Sequence, residues 1–275
     1  MKKSLLAGLA ATALIGGSAT AADLARPVYT PPPPVVAYFT WTGCYVGGNG
    51  GGLWSNNDWT DNFGFFGPVG TDFGSHNANG GLGGLQVGCN YQTGRWVFGI
   101  QGDYDWSSAT GNGPNAPALL ALAPAGTPLF SAFSDSTKIN HLASVTGRVG
   151  YSWDRFLGYV KGGGAWVNND YTLQATFTGT GGFPVGTANL GSFSGTRGGW
   201  TVGVGAEYAF RNWLTGFIEY DHYGFSSQAQ NFVCGVGCTI PAGLPGAGTI
   251  VGTLPINVQQ NINVLKAGVN FKFGG

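Results

Sequence analysis

Residues 198–226 alternate between two kinds of side chain along two long arms, and this alternation limits what the chain can fold into. One face of the first arm carries large apolar or aromatic side chains and an alanine, at Trp200, Val202, Val204, Ala206, Tyr208 and Phe210. After a turn at Asn212, one face of the second arm carries Leu214, Ile218 and Tyr220. Period two predicts two β-strands joined by a tight turn. A soluble hairpin would bury its apolar face, whereas a transmembrane β-barrel would turn that face towards lipid.

The amino terminus is typical of a secretory signal peptide, which we assign to residues 1–21. Two lysines precede a short apolar stretch, residues 5–15, and Ala19-Thr20-Ala21 provides a small-residue cleavage pattern. No segment reaches the roughly 18 consecutive apolar residues that a spanning helix needs. The sequence therefore predicts an exported protein in which strands, and not helices, would cross a membrane.

The low content of charged residues argues against a soluble domain. Charged residues make up 9% of the sequence, where about 25% is usual, and aromatic residues make up 14%. Loss of Lys2 and Lys3 with the signal peptide would leave 10 of the 12 basic residues against 12 acidic ones, a formal net charge of −2. Because there is no basic surplus, we expect no nucleic acid partner.

Eight strand-like segments follow a proline-rich stretch, residues 22–38, which we interpret as a periplasmic tail. The segments are Trp41–Trp54, Gly80–Gln92, Arg95–Ser107, Thr137–Trp153, Phe156–Leu173, Gly198–Arg211, Trp213–Ser226 and Ile262–Phe273. Each is long enough to cross the hydrocarbon layer as a tilted strand, for which about 9–11 residues suffice. We therefore interpret residues 39–275 as one β-barrel domain.

The connections between these segments alternate in length. Three are very short, at Thr93-Gly94, Asp154-Arg155 and Asn212, and the other four have roughly 25 to 35 residues each, where about 4–6 is the median. Short turns on one side and long loops on the other are typical of outer-membrane barrels, whose turns face the periplasm. The sequence therefore predicts an all-β fold, a monomeric, eight-stranded antiparallel up-and-down transmembrane β-barrel with short periplasmic turns and four long extracellular loops.

Four runs of residues carry a resemblance to a known family, at Trp41–Asn49, Gly84–Gln92, Val97–Tyr104 and Leu265–Phe273. In order and spacing they resemble the small outer-membrane barrel proteins of alphaproteobacteria. These are the outer-membrane immunogenic or porin-family proteins, related in architecture to the OmpA transmembrane domain. The resemblance implies a place in the Gram-negative outer membrane. The implied partners are outer-membrane lipid, lipopolysaccharide and the barrel-assembly machinery.

Turning every polar face inward predicts a network of opposite charges inside the barrel. Its expected members are Asp103, Asp105, Arg148, Lys161, Glu207, Glu219, Asp221, Lys266 and Lys272. Inward placement is favoured because a basic residue facing lipid near the midplane costs about 2–4 kcal/mol. The network could be an ion path or a proton-handling carboxylate pair, or it could simply fill the interior. Eight strands enclose a space just wide enough for side chains, which favours the structural interpretation.

Four cysteines in an exported chain suggest up to two disulfides. Cys44 and Cys89 fall near the same end of the first two strands and could pair, although two unpaired thiols facing lipid would give the same pattern. Cys234 and Cys238 would close a tight loop. Zinc is the alternative for this CxxxC spacing, but no second Cys or His pair accompanies it, which favours a disulfide.

His222 is the histidine with the most suggestive sequence neighbours. Asp221 precedes it and Ser226-Ser227 follows, so a hydrolase could find an acid, a base and a nucleophile here. Strand alternation argues against this, because it places His222 and Asp221 on opposite faces. His76 is predicted to lie in a loop and His141 near a strand end. We therefore predict no enzyme, no catalytic residue, and no metal or cofactor site.

The long loops are the candidate recognition surfaces. The first, Ser55–Asn79, combines aromatic side chains such as Trp59 with acidic ones such as Asp58, and the second includes the nearly uncharged stretch Pro114–Phe130. Exposed aromatic side chains with acids are a plausible recognition surface. The predicted function is that of a structural outer-membrane barrel that supports envelope integrity and displays surface loops. The alternatives are a small diffusion channel for ions or small solutes, and a surface ligand-binding or adhesion protein whose ligand the sequence does not identify.

Overall fold

A computed structural model describes residues 39–61, 70, 72–114, 130–177, 185–234 and 253–274. The strands in these ranges are β1 Gly43–Asp61, β2 Asp72–Thr93, β3 Trp96–Ser107, β4 Thr110–Pro114, β5 Phe130–Trp153, β6 Phe156–Phe177, β7 Gly186–Arg211, β8 Leu214–Cys234 and β9 Thr253–Phe273. No helix in this part of the chain is long and apolar enough to cross a membrane. The predicted signal peptide and tail, residues 1–38, lie outside the described residues.

The strands close into a ring with eight positions. Neighbours in the ring are antiparallel, and β1 pairs with both β9 and β2, which closes the sheet. β3 and β4 share one position: Ser108 and Ala109 interrupt the strand, but Ala109 O still accepts a hydrogen bond from Ile139 N at 2.9 Å. Closure leaves no unpaired edge, which a sheet in lipid requires. The predicted eight-stranded antiparallel barrel is confirmed.

The outer surface of the ring carries an apolar band between two rows of aromatic side chains. Trp96 and Trp106 are both exposed on β3 and lie about ten residues apart, the span of a tilted strand across the hydrocarbon layer. Phe156 and Trp166 repeat this spacing on β6. Exposed aliphatic side chains fill the band between the rows, among them Val145, Val160, Val202, Val204, Ile218 and Leu265. We call the rows the inner aromatic row, beside the short turns, and the outer aromatic row.

The strands continue far beyond the outer aromatic row. β7 has 26 residues and β5 has 24, more than twice the length of about 9–11 that the membrane needs. The prediction that Ser55–Asn79 is one long loop is therefore wrong at both ends, because these residues continue β1 and begin β2. Trp59 and His76 point into the ring and are buried, so neither belongs to an exposed recognition surface.

Cys44 and Cys89 lie directly opposite each other on β1 and β2 and form a disulfide. Their chain neighbours Tyr45 and Asn90 are buried inside the ring, so the disulfide lies on the outward face. The side chain of Cys234 and the whole of Cys238 lie outside the described residues.

Replacing both Cys44 and Cys89 with serine should lower the free energy of unfolding by about 2–4 kcal/mol, because the cross-link mainly restricts the unfolded chain. Urea unfolding of the refolded barrel in detergent measures this, with unboiled gel mobility reporting the folded fraction. Each single variant should lose as much free energy of unfolding as the double variant. Adding a reductant to the unmodified protein should lower its free energy of unfolding by the same amount. An unchanged midpoint in all of these samples would contradict the prediction.

Candidate functional site

Inward side chains from four strands meet in an ion-pair cluster at mid-height in the ring. Lys161 Nζ lies 2.6 Å from Glu219 Oε1, 3.3 Å from Asp221 Oδ1 and 3.5 Å from Asp103 Oδ2. All four side chains are buried. A lysine in such a place is stable only because carboxylates surround its ammonium group.

Lys266 contacts more carboxylates than Lys161 does. Its Nζ lies 3.0 Å from Asp103 Oδ1, 3.3 Å from Glu219 Oε1, and 3.5 Å from both Asp105 Oδ2 and Asp221 Oδ2. Two ammonium groups thus serve four carboxylates. The cluster therefore contains more carboxylates than ammonium groups, and the two lysines hold it together.

Arg148 forms a second ion pair next to this cluster. Its Nη2 donates to Glu207 Oε2 at 3.2 Å, and its guanidinium carbon lies 5.0 Å from the ring centroid of Tyr45 and 4.8 Å from that of Tyr159. Tyr159 OH donates to Glu219 Oε2 at 2.8 Å and so connects the two groups of charges. We call Arg148, Glu207 and the lysine–carboxylate cluster the interior ion-pair network.

Two inward glycines on β7 leave the space in which this network forms. Gly203 lies between Lys161 on β6 and Asp221 on β8 in the strand register. A Cβ atom there would lie 2.0 Å from Asp221 Oδ1, so any other residue would displace that carboxylate. Gly205 in the same way lies beside the Tyr159 ring and leaves room for that side chain to reach Glu219.

Apolar clusters lie on both sides of the interior ion-pair network. Along β6 the inward side chains run from Leu157 and Tyr159 through Lys161 to Ala165 and Val167. The cluster near the short turns contains Phe39, Trp41, Val97, Leu157, Tyr159 and Ala209. The cluster on the other side contains Leu53, Ala78, Leu82, Ala109, Ile139, Leu142, Ala165, Val167, Tyr223, Phe225, Ile262 and Val264. Buried apolar side chains therefore lie on both sides of the charges along the length of the ring.

The structure places every predicted member of the charge network in the buried interior except Lys272. Lys272 is half-buried at the mouth near the short turns, where its Nζ donates to Thr40 O at 2.7 Å and lies 5.3 Å from the Phe39 ring centroid. No carboxylate among the described residues forms a salt bridge with it. Lys272 therefore faces inward but stands apart from the other predicted members, because strand alternation gives a residue's direction and not its height in the ring.

A second polar cluster lies above the outer aromatic row, and the sequence interpretation missed it. His76 Nδ1 contacts Asp135 Oδ2, and His76 Nε2 lies 2.8 Å from Thr137 Oγ1. The Trp59 ring centroid lies 5.8 Å from that of His76. His76 comes from β2 and its partners come from β5, so only the barrel brings them together. Their alternate spacing in Asp135-Ser136-Thr137 is the one sequence signal that these two side chains share a face.

The hydrolase set around His222 does not form. His222 Nδ1 lies 2.8 Å from Asn263 Oδ1, and its ring lies 5.5 Å from that of Trp200 on the outer surface. Asp221 instead points inward, as the alternation indicated. His141 stacks on Tyr104 at 5.5 Å. No group of His, Cys, Asp or Glu in the described ranges is arranged to hold a metal ion.

The chain matches a family model described as "Outer membrane protein beta-barrel domain" over residues 8–239. It is 32% identical over 236 residues to the 31 kDa outer-membrane immunogenic protein of Brucella melitensis, covering 80% of this chain and 85% of that protein. It is 29% identical over 200 residues to the 22 kDa outer membrane protein of Rhizobium leguminosarum bv. viciae, covering 71% and 69%. The outer membrane protease OmpT of Escherichia coli aligns at 10% identity with a TM-score of 0.44, covering 86% and 98%.

The family match agrees with the closed ring and with its lipid-facing band. The predicted resemblance to alphaproteobacterial outer-membrane proteins is confirmed by the Brucella and Rhizobium relatives. The predicted location in the outer membrane is confirmed by the same findings. This chain belongs to the family of outer membrane protein β-barrel domains.

Proposed function

We propose that the protein is a structural barrel that supports the integrity of the outer membrane and displays loops at its surface. The observation that carries this proposal is the filled interior. The interior ion-pair network occupies the middle of the ring, and packed apolar clusters lie on both sides of it. Barrels of eight strands typically have room for side chains and little else.

This interior is a poor path for ions. A permeating ion would have to pass apolar side chains such as Leu157 and Val167, each fully buried, and lose its hydration there. In the middle it would have to displace a lysine from its carboxylates, and breaking a buried pair costs about 3–5 kcal/mol. Both costs argue against the alternative of a small diffusion channel.

We expect the purified barrel to show no stable porin-size conductance in planar bilayers and no solute-dependent swelling of liposomes. The same vesicles containing a general porin provide the positive control, and the unboiled mobility shift on gels shows that the barrel is folded. Stable ion-selective channels from the folded protein would contradict the proposal and favour the diffusion channel.

Display at the surface is supported by the strands beyond the outer aromatic row. Their outward side chains in the described ranges are mostly Asn, Gln, Ser and Thr, among them Asn56, Asn77, Ser134, Gln174, Thr196, Gln228 and Gln259. Such side chains are suited to water and sugars rather than to acyl chains. The Brucella relative is named for being immunogenic, which supports exposure of this region outside the cell.

We also propose that the protein is not an enzyme. Asp135, His76 and Thr137 follow the order of a hydrolase triad, with the acid on one ring nitrogen and a hydroxyl on the other. Thr137 is only 1% exposed, however, so its hydroxyl is out of reach of a substrate. We assign to the three side chains the role of joining β2 to β5 inside the ring.

A further inference from the structure

We propose that the inner aromatic row contains a binding site for anionic phospholipids, in which Arg95 holds the lipid phosphate and the neighbouring Trp and Tyr rings hold the upper acyl chain. The partner is a phospholipid of the periplasmic leaflet with a net negative charge. This interaction goes beyond the proposed structural role and does not depend on it.

The charge at the two ends of the barrel differs. The described residues at the short turns carry Arg95, Arg155, Arg211 and Lys272, with Asp154 as their acidic counterpart. Among the side chains that the structure describes beyond the outer aromatic row, the outward charges are fewer and balanced more evenly. They are Asp58, Lys138 and Asp170, and Lys138 lies opposite Asp170 in the strand register. A surplus of positive charge is therefore a property of the periplasmic rim.

Arg95 is held on the outer surface and not in the mouth of the ring. Its Nη1 donates to Tyr151 OH at 3.2 Å. The Tyr151 ring lies 5.5 Å from that of Trp96 and 4.8 Å from that of Trp153, and both Trp side chains are more than half exposed. The guanidinium is thus placed beside three lipid-facing rings. Tyr151 is its hydrogen-bond partner among the described residues, and most of its N–H groups remain available.

Arg155 and Lys272 are placed differently and do not take part in the proposed site. Arg155 Nη1 donates to Ala209 O and Nη2 to Asn212 Oδ1, both at 3.3 Å, and Lys272 Nζ donates to Thr40 O. These hydrogen bonds attach the guanidinium of Arg155 to the turn between β7 and β8, and the ammonium group of Lys272 to the segment that leads into β1. Arg211 is exposed two residues before Trp213 in the sequence.

The chemistry of this cluster fits a phospholipid. Trp and Tyr rings in such rows sit at the level of the lipid head groups, with the ring in the acyl region and the polar tip in water. An arginine at that depth meets phosphates, and its planar fork can bind two phosphate oxygens at once. A zwitterionic lipid offers the same phosphate together with a positive group that opposes the arginine. The site should therefore prefer a lipid with net negative charge.

Native mass spectrometry of the folded full-length barrel, mixed with equal amounts of phosphatidylglycerol and phosphatidylcholine, tests this. We expect more phosphatidylglycerol to bind, and we expect Arg95→Gln to weaken that binding about fivefold, as loss of one basic residue at an anionic surface should. Arg95→Lys should retain part of the preference, because it keeps the charge but loses the fork. Phosphatidylcholine binding should fall much less than phosphatidylglycerol binding in Arg95→Gln, because the positive group of that lipid already opposes the arginine.

Lys138→Gln is the matched control, because it removes one exposed cation from the opposite end of the barrel. It should leave phosphatidylglycerol binding unchanged, and all variants should keep the gel mobility shift of the folded barrel. Equal binding by Arg95→Gln and the unmodified protein would overturn the proposal, as would an equal loss in Lys138→Gln. Displacement of the lipid by an equal concentration of inorganic phosphate would also overturn it, since the site would then recognise phosphate without the lipid.

Discussion

Replacing Lys266 with methionine should lower the free energy of unfolding by about 3–5 kcal/mol, the largest loss that we expect from one interior substitution. Lys266 lies within 3.5 Å of carboxylate oxygens from Asp103, Asp105, Glu219 and Asp221. Methionine has a similar apolar stem but no charge. Asp103, Glu219 and Asp221 would then share one ammonium group, that of Lys161, and Asp105 would lose the only ammonium group that it contacts in the described residues.

Urea unfolding of the refolded barrel, followed by the unboiled mobility shift, measures this loss. Lys138→Met makes the same chemical change at an exposed position and should alter the stability by less than about 0.5 kcal/mol. A double variant, Lys266→Met with Asp221→Asn, should recover part of the loss because it also removes one of the excess negative charges. If the two substitutions simply add, the idea that these residues form one coupled network fails.

Replacing Val204 with arginine should nearly abolish accumulation of the folded barrel in the outer membrane. Val204 is 54% exposed and lies near the middle of the apolar band, between Trp200 and Phe210 on β7. An arginine facing lipid near the midplane costs about 2–4 kcal/mol, a large part of the stability of a typical domain.

The control for Val204→Arg is Gln228→Arg, an exposed position on β8 beyond the outer aromatic row. That variant should assemble normally, since its charge remains in water. The amount of heat-modifiable protein in outer-membrane fractions compares the two. Similar yields of both variants would mean that the band around Val204 does not face the hydrocarbon layer.

Much of the barrel could be predicted because successive residues of a strand face lipid and the interior in turn. Residues that face lipid must be apolar, whereas residues that face the interior can be polar or charged. Because Glu219 and Asp221 in the partner arm had to face inward, the apolar face of the hairpin with Val202 and Val204 had to face lipid. Burial of Lys161 and Arg148 followed from the same rule, since a lone cation has no stable place in the band. The number of strands and the order of turns and loops followed from segment length and turn composition.

The extent of the strands could not be predicted from the same signals. Beyond the outer aromatic row the outward residues are polar, so the contrast between faces that marks a membrane strand weakens there. Around Trp59 and His76 the chain is rich in Asn, Gly and Ser, a composition typical of loops. These residues nevertheless continue the ladder because Trp59 packs inside the ring against Tyr171 and Phe232.

The fine arrangement of the interior also depends on information that one strand does not contain. Gly203 has no sequence feature to distinguish it from the other glycines of β7, yet its missing side chain lets Lys161 reach Asp221. Lys272 shares its inward direction with Lys266 but lies too near the mouth to meet the same acids. Only the register between strands determines which inward residues stand at the same height.

The length of the strands beyond the outer aromatic row also determines how far the protein reaches from the cell. Phe177, at the end of β6, comes about 11 residues after Trp166. At a rise of about 3.3 Å per residue and a tilt of about 40°, it stands roughly 25–30 Å above the outer aromatic row. The continuous hydrogen-bonded sheet therefore carries the ends of these strands well beyond the hydrocarbon layer. Under the proposed display role, a molecule that binds the loops would meet them at that height and not at the membrane surface.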